Sequence, residues 1–203
     1  HELKTPITSI RAASEVLLDS KDMQEELKTQ FLNNILEDSE RLGKLIHNIL
    51  DLEKLASGRQ VIDKKISNLK VTIDKAISGV RGIAEKKKVK IIISNPQEVL
   101  KARYDEDRIL QVLINVLSNA IKFVEENTGI VRITSKKMEN YIQISIEDNG
   151  KGILHEDMKY IFDKFYQSKN QNVKKPAGSG FGLAISKQII EGHNGKIWAD
   201  KNY

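Results

Sequence analysis

Apolar residues near the start of the chain fall at Leu3, Ile7, Ile10 and Leu17, with Ser14 filling the gap, so the steps alternate four and three. That spacing lines one face of an α-helix and predicts a helix over residues 1–18. Pro6 has no N–H to offer the carbonyl of Glu2, so a bend is expected there. The polar turn Asp19-Ser20-Lys21-Asp22 separates this stripe from a longer one: Phe31, Ile35, Asp38, Leu42, Leu45, Ile49, Leu52 and Ala56. A second helix is therefore predicted from about Gln24 to Ala56. Leu32, Leu36, Ile46 and Leu50 widen its apolar face. One hairpin cannot bury so broad a face, whereas two hairpins packed as a four-helix bundle can. Residues 1–57 are expected to be a dimerisation module with Ile35, Leu42 and Ile49 in the bundle core. Asp38 breaks the apolar filling; it either sets register or lies where the bundle splays.

The pattern changes after the linker Ser57-Gly58-Arg59-Gln60. Strands are predicted at Val61–Ile66, Val89–Ser94, Ile130–Ser135, Tyr141–Glu147 and Lys196–Ala199. The fourth is the clearest, because Ile142, Ile144 and Ile146 alternate with Gln143, Ser145 and Glu147. Helices are predicted over Leu69–Lys88, from a cap at Asp105 to about Glu125, and after Gly182. The fold class is α+β: a helical hairpin over 1–57, then an α/β sandwich over 61–203.

Composition narrows the chemistry. The chain has 203 residues, 39% apolar and 30% charged, which suits a globular protein with a modest core. With no cysteine, disulfide frameworks, thiolate metal sites and cysteine nucleophiles are excluded. The net charge of +5 is not that of a nucleic-acid binder, since only 5% of residues are aromatic and none interleave with a basic stripe. The densest run, Lys86-Lys87-Lys88, closes a predicted helix, where cations favour the dipole. His47, His155 and His193 lie far apart and are read as structural or surface residues. No apolar run reaches membrane-spanning length.

Reactive groups concentrate in four places. His1 lies off the apolar stripe, and a neutral imidazole is a nucleophile near neutral pH; Thr5 lies one turn on, on the same face. The helix after Asp105 is apolar nearly all round, interrupted by Asn115, Asn119 and Lys122 on one face. Those groups suit Mg²⁺, a triphosphate and ordered water, although a pair of core asparagines bonding backbone would look the same. Asp148-Asn149-Gly150-Lys151-Gly152 closes an alternating strand, where it reads equally as a turn. Gly178-Ser179-Gly180-Phe181-Gly182-Leu183 opens the last helix, and backbone N–H groups at such an end bind phosphate. No P-loop pattern occurs.

Taken in order, these stretches resemble the boxes of sensor histidine kinases of two-component systems. His1-Glu2-Leu3-Lys4-Thr5-Pro6 resembles the H box, and Gln111–Phe123 the N box. Asp148–Gly152 resembles the first glycine box, Phe162-Asp163-Lys164-Phe165-Tyr166 the F box, and Gly178–Leu183 the second glycine box. The resemblance spans nearly the whole chain and implies the ATPase fold shared with gyrase, heat-shock chaperones and mismatch-repair proteins. It implies a protein-histidine kinase in which His1 takes the γ-phosphoryl of ATP, Glu2 assists as base, and Thr5 serves the reverse, phosphatase reaction. Asn115 joins them as a catalytic residue. ATP is expected at Asn115, Asn119, Lys122, Asp148, Gly150, Gly152, Gly178, Gly180, Gly182 and Leu183, with Mg²⁺ at Asn119 and Asp148 facing the adenine amino group. The implied partners are a second copy in a homodimer and a response-regulator receiver domain. The implied location is the cytoplasm, the chain reading as an excised fragment with any membrane anchor in the parent. Gln167 departs from the arginine often found there, leaving that role vacant or with another residue. The family usually adds a glycine turn and one more strand after Gly195–Ala199, so the sheet is expected to lack an edge strand. A conformational-clamp ATPase of the same fold and a non-catalytic scaffold are the rival readings.

Overall fold

In the computed structural model the described residues are 3–20, 22–56, 61–94, 99–167 and 180–200. Two helices come first, α1 (Lys4–Asp19) and α2 (Glu25–Ala56). The rest runs β1 (Lys65–Asn68), α3 (Leu69–Lys86), β2 (Lys90–Ser94), β3 (Lys101–Tyr104), α4 (Glu106–Phe123), β4 (Ile130–Lys137), β5 (Ile142–Asp148) and α5 (Gly182–Gly192). The chain divides into two compact units, His1–Lys54 and Leu55–Tyr203. No described helix is long and apolar enough to cross a membrane.

In α1 the sheltered stripe is Pro6, Ile10, Ala13 and Leu17, with Pro6 and Ala13 buried. Leu3 and Ile7, expected in that stripe, are exposed. The small Pro6 and Ala13 side chains are the buried ones, Ile10 and Leu17 are half-buried, and Leu3 and Ile7 project outward. Pro6 causes no break within the described helix, which begins at Lys4. A proline in the first turn forfeits only an N–H that would have had no helical partner there. In α2 the expected stripe is sheltered: Leu45 and Leu52 are buried, and Phe31, Ile35, Asp38, Leu42 and Ile49 are half-buried. The flanking Leu32, Leu36, Ile46 and Leu50 remain exposed, Leu36 at 59%. Glu25 and Glu26 occupy the first turn of α2, where carboxylates favour the helix dipole.

The second unit layers helices on strands. β2 and β4 pair in parallel, Lys90 opposite Ile130, and β4 pairs antiparallel with β5, Val131 opposite Asp148. β1 and β3 form a separate antiparallel pair, Lys65 opposite Tyr104. Along β4, Val131, Ile133 and Ser135 are buried and alternate with outward residues. Facing them lies α4, which packs against α3, α5, β4 and β5. Its buried side chains Ile109, Val112, Leu113, Leu117, Ala120 and Ile121 cover about half of its circumference.

Two strand expectations are corrected, and one strand was not expected. Val61–Ile66 is mostly not a strand: β1 starts at Lys65, because Val61 points into solvent and Ile62 packs against α5 at Gly192 instead of joining a ladder. β3, with only Lys101-Ala102-Arg103-Tyr104, is too short to announce itself and exists through its pairing with β1. Lys196–Ala199 joins neither sheet among the described residues; its alternation suits a strand, but a strand also needs a neighbour with free backbone groups.

Side chains fix both helix starts that matter here. The Asn68 carboxamide oxygen caps α3 by accepting from Lys70 N–H at 3.2 Å, and it also accepts from Leu100 N–H at 3.1 Å. Asp105 caps α4 by accepting from Arg108 N–H at 3.1 Å. At the other end of α4, Lys87 Nζ donates to the carbonyls of Ile121 at 3.0 Å and Lys122 at 2.6 Å. The lysine run thus serves the C-terminus of a second helix, not only its own. Lys87→Met keeps the aliphatic stem and leaves those carbonyls unserved. It is expected to lower stability by about 1–2 kcal/mol, read from the midpoint of urea unfolding with the slope unchanged.

Candidate functional site

The polar face of α4 is where the expected ligand groups gather. Asn115, Asn119 and Lys122 are half-buried on a helix whose other sides are packed. Asn115 Nδ2 donates to the carbonyl of Gly182 at 3.3 Å, which ties α4 to the first residue of α5. A Cβ on Gly182 would stand 3.6 Å from the Asn115 side chain, so the small residue lets the helix end approach the amide. Asn119 makes no side-chain hydrogen bond among the described residues. A sheltered amide without a partner is costly unless a ligand or water completes it. Burial holds the Lys122 amine below the ordinary lysine pKa, a group that gains from a nearby anion.

The loop after β5 meets α4 one end further along. Gly150 N–H donates to Asp148 Oδ1 at 2.9 Å, which orients the carboxylate at the strand end. A Cβ at Gly150 would sit 2.7 Å from the carbonyl oxygen of Phe123, so no larger residue fits against the last turn of α4. Asn149 is a fastener: it accepts from Ile130 N–H at 2.7 Å and donates to Thr128 O at 3.0 Å, locking the end of β5 to the start of β4. Asp148 itself is exposed.

The third contribution comes from the start of α5. Gly180 has φ +65°, and a Cβ there would meet the Phe165 backbone at 2.9 Å. Phe165, itself at φ +65°, donates its N–H to Gly180 O at 3.1 Å. The Phe165 ring stands edge-on to the buried Phe181 ring, centroids 4.6 Å apart. The F box and the second glycine box therefore form one packed unit. Beside it Tyr166 OH donates to the buried carboxylate of Asp157, and the Tyr166 ring lies 5.7 Å from that of Tyr160. That hydrogen bond to Asp157 is the main reason the Tyr166 phenol is pushed up to about 12.

The two glycine loops touch α4 at Gly182–Asn115 and Gly150–Phe123, eight residues apart, or roughly 12 Å of helix. Asn119 and Lys122 lie between those points, and Leu183 follows Gly182 in the first turn of α5. Gly152, at φ +71°, takes the left-handed turn after Gly150. Thr5 is exposed on α1, beside an open hollow lined also by Lys4, Thr8, Ser9 and Ala12. His1, Glu2 and Gly178 lie outside the described residues.

Residues 1–58 match the His Kinase A (phospho-acceptor) domain, and residues 104–203 match the Histidine kinase-, DNA gyrase B-, and HSP90-like ATPase family. The catalytic domain of histidine kinase ThkA, in a nucleotide-free form, superposes with a TM-score of 0.60 at 31% identity, over 69% of this chain and 88% of that one. The chain belongs to the sensor histidine kinases of two-component systems. A solved complex of histidine kinase ThkA with the response regulator protein TrrA matches the whole kinase chain here, 100%, and 55% of its own, at TM-score 0.79 and 28% identity. Sensor protein kinase WalK of Staphylococcus aureus is 35% identical over 201 residues, 98% of this chain. The kinase chain spans about half or a third of the curated relatives it matches, 48% of one WalK sequence and 33% of another.

Asn149, Phe165, Phe181, Lys87 and the Tyr166–Asp157 pair escaped the sequence reading as positioning groups of this kinase. Asn149, Phe165, Tyr166 and Phe181 lie inside stretches that resemble the family's boxes and Lys87 inside the lysine run, but their partners were not legible, and Asp157 left no signal. Tyr166 gives a pH test. Its folded pKa lies above the ordinary tyrosine value of about 10, so its bond stabilises fully below about pH 10 and is lost as pH rises through about 12. Wild type is expected to lose stability over that window. Tyr166→Phe, lacking the phenol, should lose less, as read by denaturant midpoints at each pH.

Proposed function

We propose that this chain is the catalytic core of a sensor kinase, with residues 1–57 as the dimerisation and phosphoacceptor domain and 61–203 as the ATP-binding domain. The observation that carries this reading is the meeting of both glycine loops on α4, with a sheltered Asn119 amide unpartnered among the described residues between them. Asp148 receives the adenine amino group with Gly150 and Gly152 in the loop beside it, and Gly178, Gly180, Gly182 and Leu183 are assigned to the phosphates, which backbone N–H groups at a helix start such as that of α5 bind. Lys122 supplies positive charge where Gln167 cannot. Mg²⁺ would be held by one protein oxygen, from Asn119, with phosphates and water completing its shell. When bound, Mg²⁺ neutralises phosphate charge.

A ring nitrogen of His1 forms a bond to the γ-phosphorus as the bond from that phosphorus to the β–γ bridging oxygen breaks. ADP leaves, and the displaced imidazole proton passes to Glu2. Positioning carries most of this chemistry, and Asn115 contributes by holding the start of α5 against α4. The phosphoryl group then moves to an aspartate carboxylate of a response-regulator receiver domain, the P–N bond breaking as the new P–O bond forms. Support for that partner is the solved ThkA complex with TrrA. Thr5 holds the water that later hydrolyses the regulator's phosphoaspartate. The reaction needs cytoplasmic ATP, so the core works in the cytoplasm, with any membrane attachment in other parts of the parent protein.

Incubation with γ-labelled ATP should give acid-labile, alkali-stable label that disappears in His1→Ala and falls with the lowered ATP affinity of Asp148→Asn, where a donor faces the adenine donors. Thr5→Ala should keep autophosphorylation within roughly tenfold while regulator dephosphorylation falls further, a gap above ~1.4 kcal/mol. No label in folded wild type, or label surviving in His1→Ala, would overturn the assignment.

The homodimer is proposed from the exposed apolar row Leu32, Leu36, Ile46 and Leu50 beside the half-buried Ile35, Leu42 and Ile49. A second copy of the same row would cover it. Leu36→Asp places one charge per protomer in that contact at a cost of several kcal/mol, so sedimentation should show monomers with the helical content retained. A dimer unaffected by this change means a different interface.

A further inference from the structure

Hydrogen bonds join the packed pair α4 and α5 at Gly182–Asn115 and, at the other end of α5, between His193 and the cap residue of α4. Asp105 N–H donates to His193 Nε2 at 2.9 Å, while His193 Nδ1 lies 2.7 Å from the carbonyl oxygen of Ile189. A backbone N–H can only donate, so Nε2 is bare; a carbonyl oxygen can only accept, so Nδ1 carries the hydrogen. The ring in this joint is neutral, with one tautomer.

The residue it grips is heavily engaged. Asp105 Oδ1 accepts from Arg108 N–H at 3.1 Å, Oδ2 accepts from Asp63 N–H at 3.1 Å, and its carbonyl accepts from Ile109 N–H at 3.0 Å. Next to it a Cβ on Gly192 would meet Ile62 Cδ1 at 2.3 Å, so the segment before β1 is pressed against the end of α5. Three stretches distant in sequence, residues 62–63, 105 and 192–193, therefore close on one point. It lies at the opposite end of α5 from the glycine loop.

We propose that His193 is a positioning residue for nucleotide binding: its neutral ring pins α5 to the start of α4, and protonation withdraws the pin. The role rests on the nucleotide reading above. A proton on Nε2 would set two N–H groups face to face, so the joint holds at the alkaline side of histidine titration and loosens on the acid side. Charged groups on the surrounding elements include Asp105, Glu106, Asp107 and Arg108 on α4 and its cap, Asp63 and Lys64 leading into β1, Lys65 at its start, Lys75 on α3, and Lys187 and Glu191 on α5. Most are matched: Lys65 with Asp63 at 2.6 Å, Lys75 with Glu106, and Lys187 with Glu191 at 4.0 Å. Asp105 Oδ1 and Oδ2 each accept one backbone N–H, while it is the Asp105 N–H that faces Nε2.

The test is ADP binding by calorimetry from about pH 8 to about pH 5.5, the span in which histidine titrates, on the whole chain and on His193→Gln. Glutamine places an amide oxygen near the position of Nε2 and does not titrate. Wild type should lose about fivefold more affinity than His193→Gln over that range, the equivalent of one hydrogen bond. Hydrogen exchange at the Asp105 amide, relative to its intrinsic rate, should lose protection in parallel in wild type and not in the variant. Identical pH profiles for the two proteins, or an unprotected Asp105 amide in wild type at pH 8, overturn the role of His193. No ADP binding at any pH by wild type with that amide protected overturns the nucleotide reading instead, and with it any role of the joint in binding.

Discussion

The second unit depends on one conflict resolved in α4. A helix that packs against two helices and two strands should be apolar all round, and this one is nearly so. Yet it carries Asn115, Asn119 and Lys122 on a single face, where each amide or amine desolvated without a partner costs about 1–3 kcal/mol. The structure meets part of that demand from within. Asn115 spends a hydrogen on Gly182, and Lys87 serves the last carbonyls so that the helix end is not a second burden. The Asn119 amide is left to whatever enters between the glycine loops. Stability and ligand binding are thus set against each other along one short row of side chains.

Much of this was legible in the chain. Long periodic stretches gave the helices to within a few residues, because a buried face repeated over many turns admits few readings. Glycine positions were legible for a different reason: Gly150 and Gly180 stand where a Cβ would strike backbone, so no side chain could replace them without a shift. Short strands were not legible. β3 and the late start of β1 depend on each other's ladder, and four residues of either carry too little pattern to declare it. The stripe on α1 misled because Pro6 and Ala13, small and unremarkable in a hydropathy pattern, took the sheltered positions. The partners of fasteners such as Asn149 and His193 were not legible, since a polar side chain on a turn declares neither its partner nor its distance.

The aromatic contact between Phe165 and Phe181 has a related meaning. Phe165 holds a left-handed backbone conformation that a bulky residue adopts only when its surroundings insist. The insistence comes from the Gly180 carbonyl and the Phe181 ring. The two boxes therefore share their conformational strain.

The parallel pairing of β2 with β4 bears on how the unit comes to exist. Lys90 registers opposite Ile130, and everything between, β3 and α4 included, is the crossover that joins them. Parallel neighbours of this separation gain nothing until the connecting chain has closed, which makes them late events in folding. Since the crossover contains the helix bearing Asn115 and Asn119, the sheet and the wall of the site must be completed together. A newly made chain would pass from having no binding surface to having all of it within one cooperative step, and a ligand for that surface would draw the whole unit toward the folded side.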